Sequence, residues 1–240
     1  MAHPSGEFAL WIRHFESNAD VHAATDAAID FGAHCALPAE VRAPLIASVR
    51  RFQLGESGDG AALLSKAALA GDPEYVRAAE LFVAEEQQHA DLLARLLDYL
   101  GGERLHSHWS DGVFVWLRRL MGLRTELMVL TVAEVVALSY YGALAERTPD
   151  AVTRAVAERI LADEGPHVRF QRQRLHAGFA EASRPARWAA FAFWWATTLG
   201  ASTVVALDHG GILTALGYRR RDFIRDVLDD FADVVGYVLQ

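Results

Sequence analysis

Apolar residues recur at spacings of three and four along most of the chain, which is the periodicity of a helix with one buried face. This pattern predicts long helices over residues 41–70, 74–100, 113–147, 151–179 and 223–239. Runs of alternating apolar and polar residues, which would indicate strands, do not reach a useful length. The pattern therefore predicts an all-α protein.

Short segments rich in turn-forming residues separate the predicted helices. Asp72–Pro73 and Thr148–Pro149–Asp150 are signals for a helix start, because proline fixes the backbone angle of a first helical turn. The stretch ILADEGPHVRF carries Pro166 inside a predicted helix. Since proline removes one backbone hydrogen bond, we expect that helix to kink or to widen by one residue.

Residues 188–207 form a stretch of twenty without a charge, which is long enough to cross a membrane. However, this stretch contains several hydroxyl and glycine positions, and its three tryptophans crowd toward one end. We interpret it as a helix that is buried in a soluble bundle or lies at a homodimer contact. Contact with a membrane interface is the alternative, and a true membrane span is the least favoured reading.

Composition and charge exclude several classes of protein. Hydrophobic residues make up 52% of the 240 residues, enough for a sizeable core, and the formal net charge is −8 without a long basic run. A protein whose main role is to bind nucleic acid needs an extended basic surface, and this composition does not indicate one. We therefore expect no nucleic-acid partner. Cys35 is the single cysteine, which excludes a disulfide framework and a paired-cysteine site. A cytoplasmic location is expected, because the N-terminus has no signal pattern.

Two copies of a short motif lie 78 residues apart in the predicted helices. Glu86 and His89 form the first Glu-x-x-His, and Glu164 and His167 form the second. On a helix, residues three apart share one face and lie one turn apart along the axis. A carboxylate and an imidazole at this spacing can therefore reach the same metal ion.

Further acids keep the same offset as the repeated motifs. Glu85 and Asp163 directly precede the two motifs, and Glu56 and Glu134 lie thirty residues before them. Thirty residues allow a chain to follow one helix, turn, and return to the same height on a neighbouring antiparallel helix. Four glutamates and two histidines would then meet at one level of the core. Two divalent cations would balance the four buried negative charges, and the ligand set suits iron or manganese.

The order Glu, Glu-x-x-His, Glu, Glu-x-x-His resembles the ferritin-like di-iron carboxylate superfamily, in its branch of oxidases and oxygenases that activate O2. The resemblance covers roughly residues 40–180. It implies a single ferritin-like domain over 1–240, in which an antiparallel four-helix bundle at 40–180 binds the metal. A helical extension at 1–38 would precede this core, and apolar helices at 184–240 would follow it.

The same resemblance implies a role for each acid and histidine. Glu56 and Glu134 would be mainly terminal ligands, Glu86 and Glu164 would bridge two metal ions, and one histidine would bind each ion, namely His89 and His167. These four glutamates are therefore also the candidate catalytic residues. Asp163 and Glu85 would accept hydrogen bonds from the far nitrogens of the ligand histidines, with an ordinary surface position as the alternative for each acid.

Small and aromatic residues near Glu56 and Glu134 are candidates for a substrate pocket. Gly60 falls one helical turn beyond Glu56 in the predicted helix 41–70, and Leu138 is its counterpart in the second repeat. We expect both Gly60 and Leu138 to border the pocket. This difference indicates either an open side near Glu56, through which oxygen or a substrate could approach, or small residues that only let neighbouring helices pack closely. Tyr141 lies two turns after Glu134 on the same face, as an ordinary core residue or as a redox-active or proton-donating group.

The resemblance implies two iron ions, or a manganese–iron pair, and O2 as co-substrate. It implies hydroxylation, desaturation, N-oxidation or deformylation of a small or fatty apolar molecule, with electrons from an external ferredoxin-like protein or reductase. Iron oxidation and storage, or peroxide detoxification, form the alternative. A metal-free helical interaction protein is the second alternative.

Overall fold

The computed structural model describes residues 6–108, 112, 122–180 and 182–239. Within these ranges every regular element is a helix and no strand occurs, so the predicted all-α class is confirmed. The helices are α1 (Ala9–Ala28), α2 (Ala39–Glu56), α3 (Ala61–Leu69), α4 (Pro73–Leu100), α5 (Leu123–Arg147), α6 (Ala151–Phe179), α7 (Arg184–Asp208), α8 (Gly210–Ala215) and α9 (Arg220–Val238).

The helix starts follow the capping signals of the sequence. Asp72 precedes α4 and accepts a hydrogen bond from the Tyr75 amide at 3.0 Å, with Pro73 as the first helical residue. Asp150 precedes α6 and accepts from the Thr153 amide at 2.8 Å. Each carboxylate satisfies a backbone donor that has no partner within its helix, and it also lies favourably at the positive end of the helix dipole.

The helices that carry the predicted metal ligands pack in pairs. Helix α5 packs along α6, α2 packs along α4, and α4 also contacts α6. Helix α1 covers α4 and α6 from one side, while α9 packs on α5, α6 and α7. Helix α5 is the most completely enclosed of these, and Tyr140 and Tyr141 on it have no exposed surface.

The predicted helix 41–70 is wrong as a single element. Helix α2 ends at Glu56, and α3 begins at Ala61 after the polar segment SGDG. Gly60 has φ +65°, a conformation that favours glycine, and a Cβ there would lie 2.5 Å from Cγ2 of Val83. Gly60 is therefore not one turn beyond Glu56 on a continuous helix. Of the predicted helix 113–147, α5 covers the part from Leu123, and 113–121 lie outside the described residues.

Helix α6 passes through Pro166 and keeps its α-helical backbone from Ala151 to Phe179. Of the two expected outcomes, a widening by one residue is wrong, and a kink stays a prediction. Proline still lacks a backbone donor, so the carbonyl of Ala162, four residues earlier, loses its usual partner within the helix. The defect lies between Glu164 and His167, whose positions on the helix keep the regular spacing of three.

Two helices in the described ranges have the length and apolar composition of a membrane span. For α5, 78% of its most apolar window is buried, as in the core helix of a bundle. For α7, the corresponding share is only 22%, and Trp188, Leu199 and Leu207 are exposed. The expectation that 188–207 is buried within the bundle is therefore wrong for most of its surface, because only one narrow strip of α7 faces the core.

Trp194 anchors that strip, and its replacement by phenylalanine tests the docking of α7. Its indole Nε1 donates to the Met128 carbonyl at 2.7 Å, and its ring packs edge-on against Phe231. We expect Trp194→Phe to lower the free energy of unfolding by about 1–3 kcal/mol through lost packing and a lost hydrogen bond. Trp188 is 70% exposed on the same helix, so Trp188→Phe should change it by less than about 0.5 kcal/mol. Urea titrations check both values, and equal losses would contradict this packing.

Candidate metal centre

The structure brings the predicted ligands from four helices into one buried region. Helix α2 contributes Glu56, α4 contributes Glu86 and His89, α5 contributes Glu134, and α6 contributes Glu164 and His167. Two groups of three have donor atoms within 4.8 Å of one another: Glu86, His89 and His167, and Glu134, Glu164 and His167. Each group could hold a metal ion, and the two groups share His167.

Both histidines direct the same ring nitrogen toward the glutamates. Nδ1 of His89 lies 3.7 Å from Oε1 of Glu86 and 3.7 Å from Oε1 of Glu164. Nδ1 of His167 lies 2.9 Å from Oε1 of Glu86 and 3.5 Å from Oε2 of Glu134. The two rings are 5.5 Å apart between centroids. This geometry places two imidazole donors on one side of a cluster of carboxylates.

The opposite ring nitrogens are held by acids from the other repeat. Nε2 of His89 lies 2.9 Å from Oδ2 of Asp163, and Nε2 of His167 lies 2.9 Å from Oε2 of Glu85. Each acid directly precedes the motif of one repeat and binds the histidine of the other. When Nε2 carries the proton and donates it to the acid, Nδ1 keeps a free lone pair, which is the tautomer that binds a metal ion.

Several donor atoms of the cluster are buried without a hydrogen-bond partner. They include Oε1 of Glu86, Nδ1 of His89, Oε2 of Glu164 and Nδ1 of His167. His167 and Glu86 approach closely but are not aligned for a hydrogen bond. Buried polar atoms without partners are costly, and here they converge on one place. The donor set of carboxylates and imidazoles therefore fits divalent iron or manganese in its chemistry as well as in its burial.

Charges in the cluster shift its pKa values in opposite directions. Burial and the neighbouring Glu86 raise the pKa of Glu56, and burial with Glu134 and Glu86 raises that of Glu164. Burial also acts to raise the pKa of Glu86, but His167 and His89 outweigh it and lower this pKa to about 2. The carboxylates cannot all ionise together without a compensating cation, so protons take that place when no metal is bound.

Glu56 lies at the edge of the cluster, at the last residue of α2. It belongs to neither group of three donors, and it is more exposed than Glu164. The Tyr141 hydroxyl donates to Oε1 of Glu56 at 3.4 Å. Burial, followed by the charge of Glu56, raises the pKa of Tyr141 well above its ordinary value, so the tyrosine stays protonated and keeps its donor role.

Helix α1 contributes side chains that the sequence did not identify as part of the site. Nδ2 of Asn18 donates to Oε1 of Glu85 at 3.0 Å, and Nε2 of His22 lies 3.1 Å from Oδ1 of Asp163. Arg159 on α6 also pairs with Asp163. The spacing of four between Arg159 and Asp163 was a signal for that pair, but nothing in the sequence of α1 indicates which acids it meets.

A second buried chain of hydrogen bonds holds Glu134. Nε2 of Gln171 donates to Oε1 of Glu134 at 2.7 Å, and the Thr131 hydroxyl donates to Oε1 of Gln171 at 2.8 Å. Gln171 lies one turn after His167 on α6, and sequence reasoning missed it. These bonds fix the carboxylate of Glu134 and leave its other oxygen facing His167.

A cavity of about 510 Å³ adjoins the cluster, and all four predicted glutamate ligands line it. Gly60 also lines it, whereas Leu138 does not and packs against the hydrophobic core. The expectation that Leu138 borders the pocket is therefore wrong, because its position on α5 turns it away from the cavity. Helix α7 supplies small and apolar lining residues: Ala196, Thr197, Gly200, Ala201, Val204 and Val205.

His209 lines the same cavity and should make stability depend on pH. Burial, with the charges of Arg51 and His108, lowers the pKa of His209 from 6.5 to about 3. The unfolded chain thus takes up this proton near pH 6.5, whereas the folded protein does not until about pH 3. Below pH 6.5 the difference costs about 1.4 kcal/mol of stability per pH unit.

The variant His209→Asn removes this titration and can keep a hydrogen bond to Ser48, which lies 2.7 Å from Nδ1 of His209. Between pH 6.5 and 4, its stability should fall less steeply than that of the unmodified protein. Urea titrations across this range give the difference between the two slopes. Parallel curves would contradict the assignment.

No protein-family model and no curated protein matches this chain. In the described residues the protein is all-helical, and its buried clusters of acids and histidines could hold metal ions. These features are compatible with a ferritin-like fold.

Proposed function

We propose that this chain is a ferritin-like di-iron protein that activates O2 to oxidise a small or fatty apolar molecule. One observation carries the proposal. The histidines of two repeated motifs direct Nδ1 atoms that make no hydrogen bond toward shared carboxylates, while acids of the opposite repeats hold their Nε2 atoms. Buried polar atoms normally find a hydrogen-bond partner, so two inner nitrogens without one, both facing carboxylates, favour a metal site.

In this proposal α2, α4, α5 and α6 form the four-helix bundle of a single domain over 1–240. His89 and His167 would each hold one ion, Glu86 and Glu164 would bridge, and Glu56 and Glu134 would be terminal ligands. When bound, a pair of ferrous ions supplies the electrons that reduce dioxygen. A manganese–iron pair would use the same ligands.

The protein's own groups then orient the ligands and hold a proton at the edge of the site. Asp163 and Glu85 fix the two imidazole rings, and Gln171 fixes the carboxylate of Glu134. Tyr141 does not line the cavity itself, but it holds a proton at its hydroxyl beside Glu56, which does. This proton is available to a group that becomes basic at that edge of the cluster.

The cavity favours an organic substrate over iron storage. An iron store needs a polar surface where the mineral can grow, whereas this cavity is lined mainly by aliphatic and aromatic side chains. Its volume suits one small-molecule ligand. We propose that electrons come from an external ferredoxin-like protein or reductase, and that the enzyme acts in the cytoplasm. Iron storage, peroxide detoxification and a metal-free interaction role are the competing outcomes of the test.

Anaerobic loading with ferrous iron tests the proposal. We expect about two iron ions per chain to remain after desalting, and exposure to O2 should consume oxygen in proportion to the bound iron. Retention of far more than two ions per chain in a large hollow assembly would favour storage. Failure to retain iron or manganese would remove the enzyme proposal and leave the metal-free role.

A further inference from the structure

Besides the four glutamates, the cavity is lined by two further ionisable residues in the described part of the chain. These are Arg51 on α2 and His209, which follows α7. Nη1 of Arg51 donates to the carbonyls of Ala47 at 2.7 Å and Asp208 at 3.1 Å. Its Nε donates to Nε2 of His108 at 3.4 Å. These bonds fix the guanidinium at the end of α7, so its orientation is set before any ligand binds.

In the described part of the chain, this guanidinium donates to three acceptors, and none of them is a carboxylate. Two of them are carbonyls and the third is an imidazole nitrogen. Arg51 is only partly exposed, and a cation beside an apolar cavity is stabilised by an anion. Arg51 is also the one arginine or lysine among the described residues that line the cavity.

Most of the remaining cavity lining is apolar and includes Phe52, Leu63, Val83, Leu130 and Val205. The imidazole of His209 is held by Ser48, and burial lowers its pKa. Because burial keeps His209 neutral near pH 7, it adds no second positive charge. A ligand that fits this lining has an apolar body and one anionic head.

We propose that the cavity binds a carboxylate with an aliphatic chain, such as a fatty acid, with its head on Arg51. The bonds to Ala47, Asp208 and His108 leave Nη2 of Arg51 as a donor, and a charge-assisted hydrogen bond from it suits a carboxylate oxygen. Inorganic anions lack the apolar chain that the remaining walls would cover. This inference rests on the proposed function only for the oxidation of the bound carboxylate. Binding of the carboxylate itself does not require the metal.

The position of Arg51 relative to the glutamates sets where such a substrate would react. Arg51 precedes Glu56 by five residues on α2, which corresponds to about 7.5 Å along the helix axis. A head group held at Arg51 therefore places carbons several bonds from the carboxylate beside the metal cluster. Under the proposed function, oxidation falls on the chain of the substrate and spares its head.

Calorimetric titration with octanoate and with octanol tests the head-group site. The protein is titrated as purified, with its metal content measured, and again after removal of metal by a chelator. We expect octanoate to bind more tightly than octanol in both forms. Arg51→Gln should weaken octanoate binding at least tenfold and change octanol binding less than twofold, whereas Arg51→Lys should keep most of the preference.

Arg50→Gln is the matched control, because Arg50 is the adjacent arginine and does not line the cavity. It should leave both affinities unchanged. Equal affinities for octanoate and octanol, or equal losses for both ligands in Arg51→Gln, would overturn the head-group site. If Arg51→Gln does not fold, the ligand preference of the unmodified protein and of Arg51→Lys still decides. A preference for octanoate in a protein that never retains metal would leave this site standing and remove the di-iron function.

Discussion

Replacing Glu164 by glutamine is expected to abolish binding of the metal pair and, in the metal-free protein, to increase stability. Glu164 is 1% exposed and is crowded by Glu134 and Glu86. The amide removes one charged ligand, so we expect the metal content to fall from about two ions per chain to less than one. Without metal, the same change removes a buried acid whose ionisation is penalised, which should raise the free energy of unfolding by about 1 kcal/mol at pH 8.

These opposite signs separate a metal ligand from a structural carboxylate. If Glu164 only stabilised the fold, its replacement would lower the free energy of unfolding and leave metal binding unchanged. Glu158→Gln makes the same substitution on an exposed position of α6 and should alter neither quantity. Metal analysis after anaerobic loading and urea titration of the chelated protein provide the two readouts. A destabilised Glu164→Gln variant that still retains two ions would refute the ligand role.

Replacing Asp163 by alanine is expected to have the largest effect on stability. The side chain accepts from Nε2 of His89, contacts Nε2 of His22, and pairs with Arg159, which is only 4% exposed. Asp26, 3.2 Å from Nε of Arg159, remains as a counter-charge, so we expect a loss of about 3 kcal/mol, at the lower end for a broken buried ion pair. The imidazole of His89 also loses its orienting partner, so metal affinity should fall about 10–100-fold.

Glu85→Ala provides the comparison within the same repeat pattern. It removes the acceptor of His167, so it should weaken metal binding by a similar factor. It should lower the free energy of unfolding by less than Asp163→Ala does. Glu85 accepts from the neutral amide of Asn18, whereas Asp163 pairs with the buried charge of Arg159. Asp91→Ala, at an exposed position of α4, is the neutral control. Denaturant titrations and competition with a chelating dye measure both effects, and unchanged metal affinity in both variants would contradict the orienting role.

Periodicity and spacing predicted the parts of this protein that depend on short-range geometry. The helical class follows from the recurrence of apolar residues, and Asp72 and Asp150 cap helices where their signals stand. The offset between the repeated motifs identified residues that the structure brings together. A ligand pair three residues apart on one helix is fixed by helix geometry, so Glu164 and His167 needed no tertiary information.

Features that depend on packing between distant elements could not be read from the sequence. The crossing of Asp163 to His89 and of Glu85 to His167 depends on how α4 and α6 face each other. The contacts of His22 depend on where α1 docks. The apolar composition of residues 188–207 gives no information about how much of that helix finds a partner, and in this chain most of it does not.

Anomalous diffraction from crystals soaked in ferrous or manganous salt tests the central claim most directly. The six predicted ligands should surround two peaks about 3.5–4 Å apart, with Glu86 and Glu164 between them. His22, Glu85 and Asp163 form a separate group that could hold an ion. A single peak in that group, or no peak among the six ligands at full metal loading, would contradict the account.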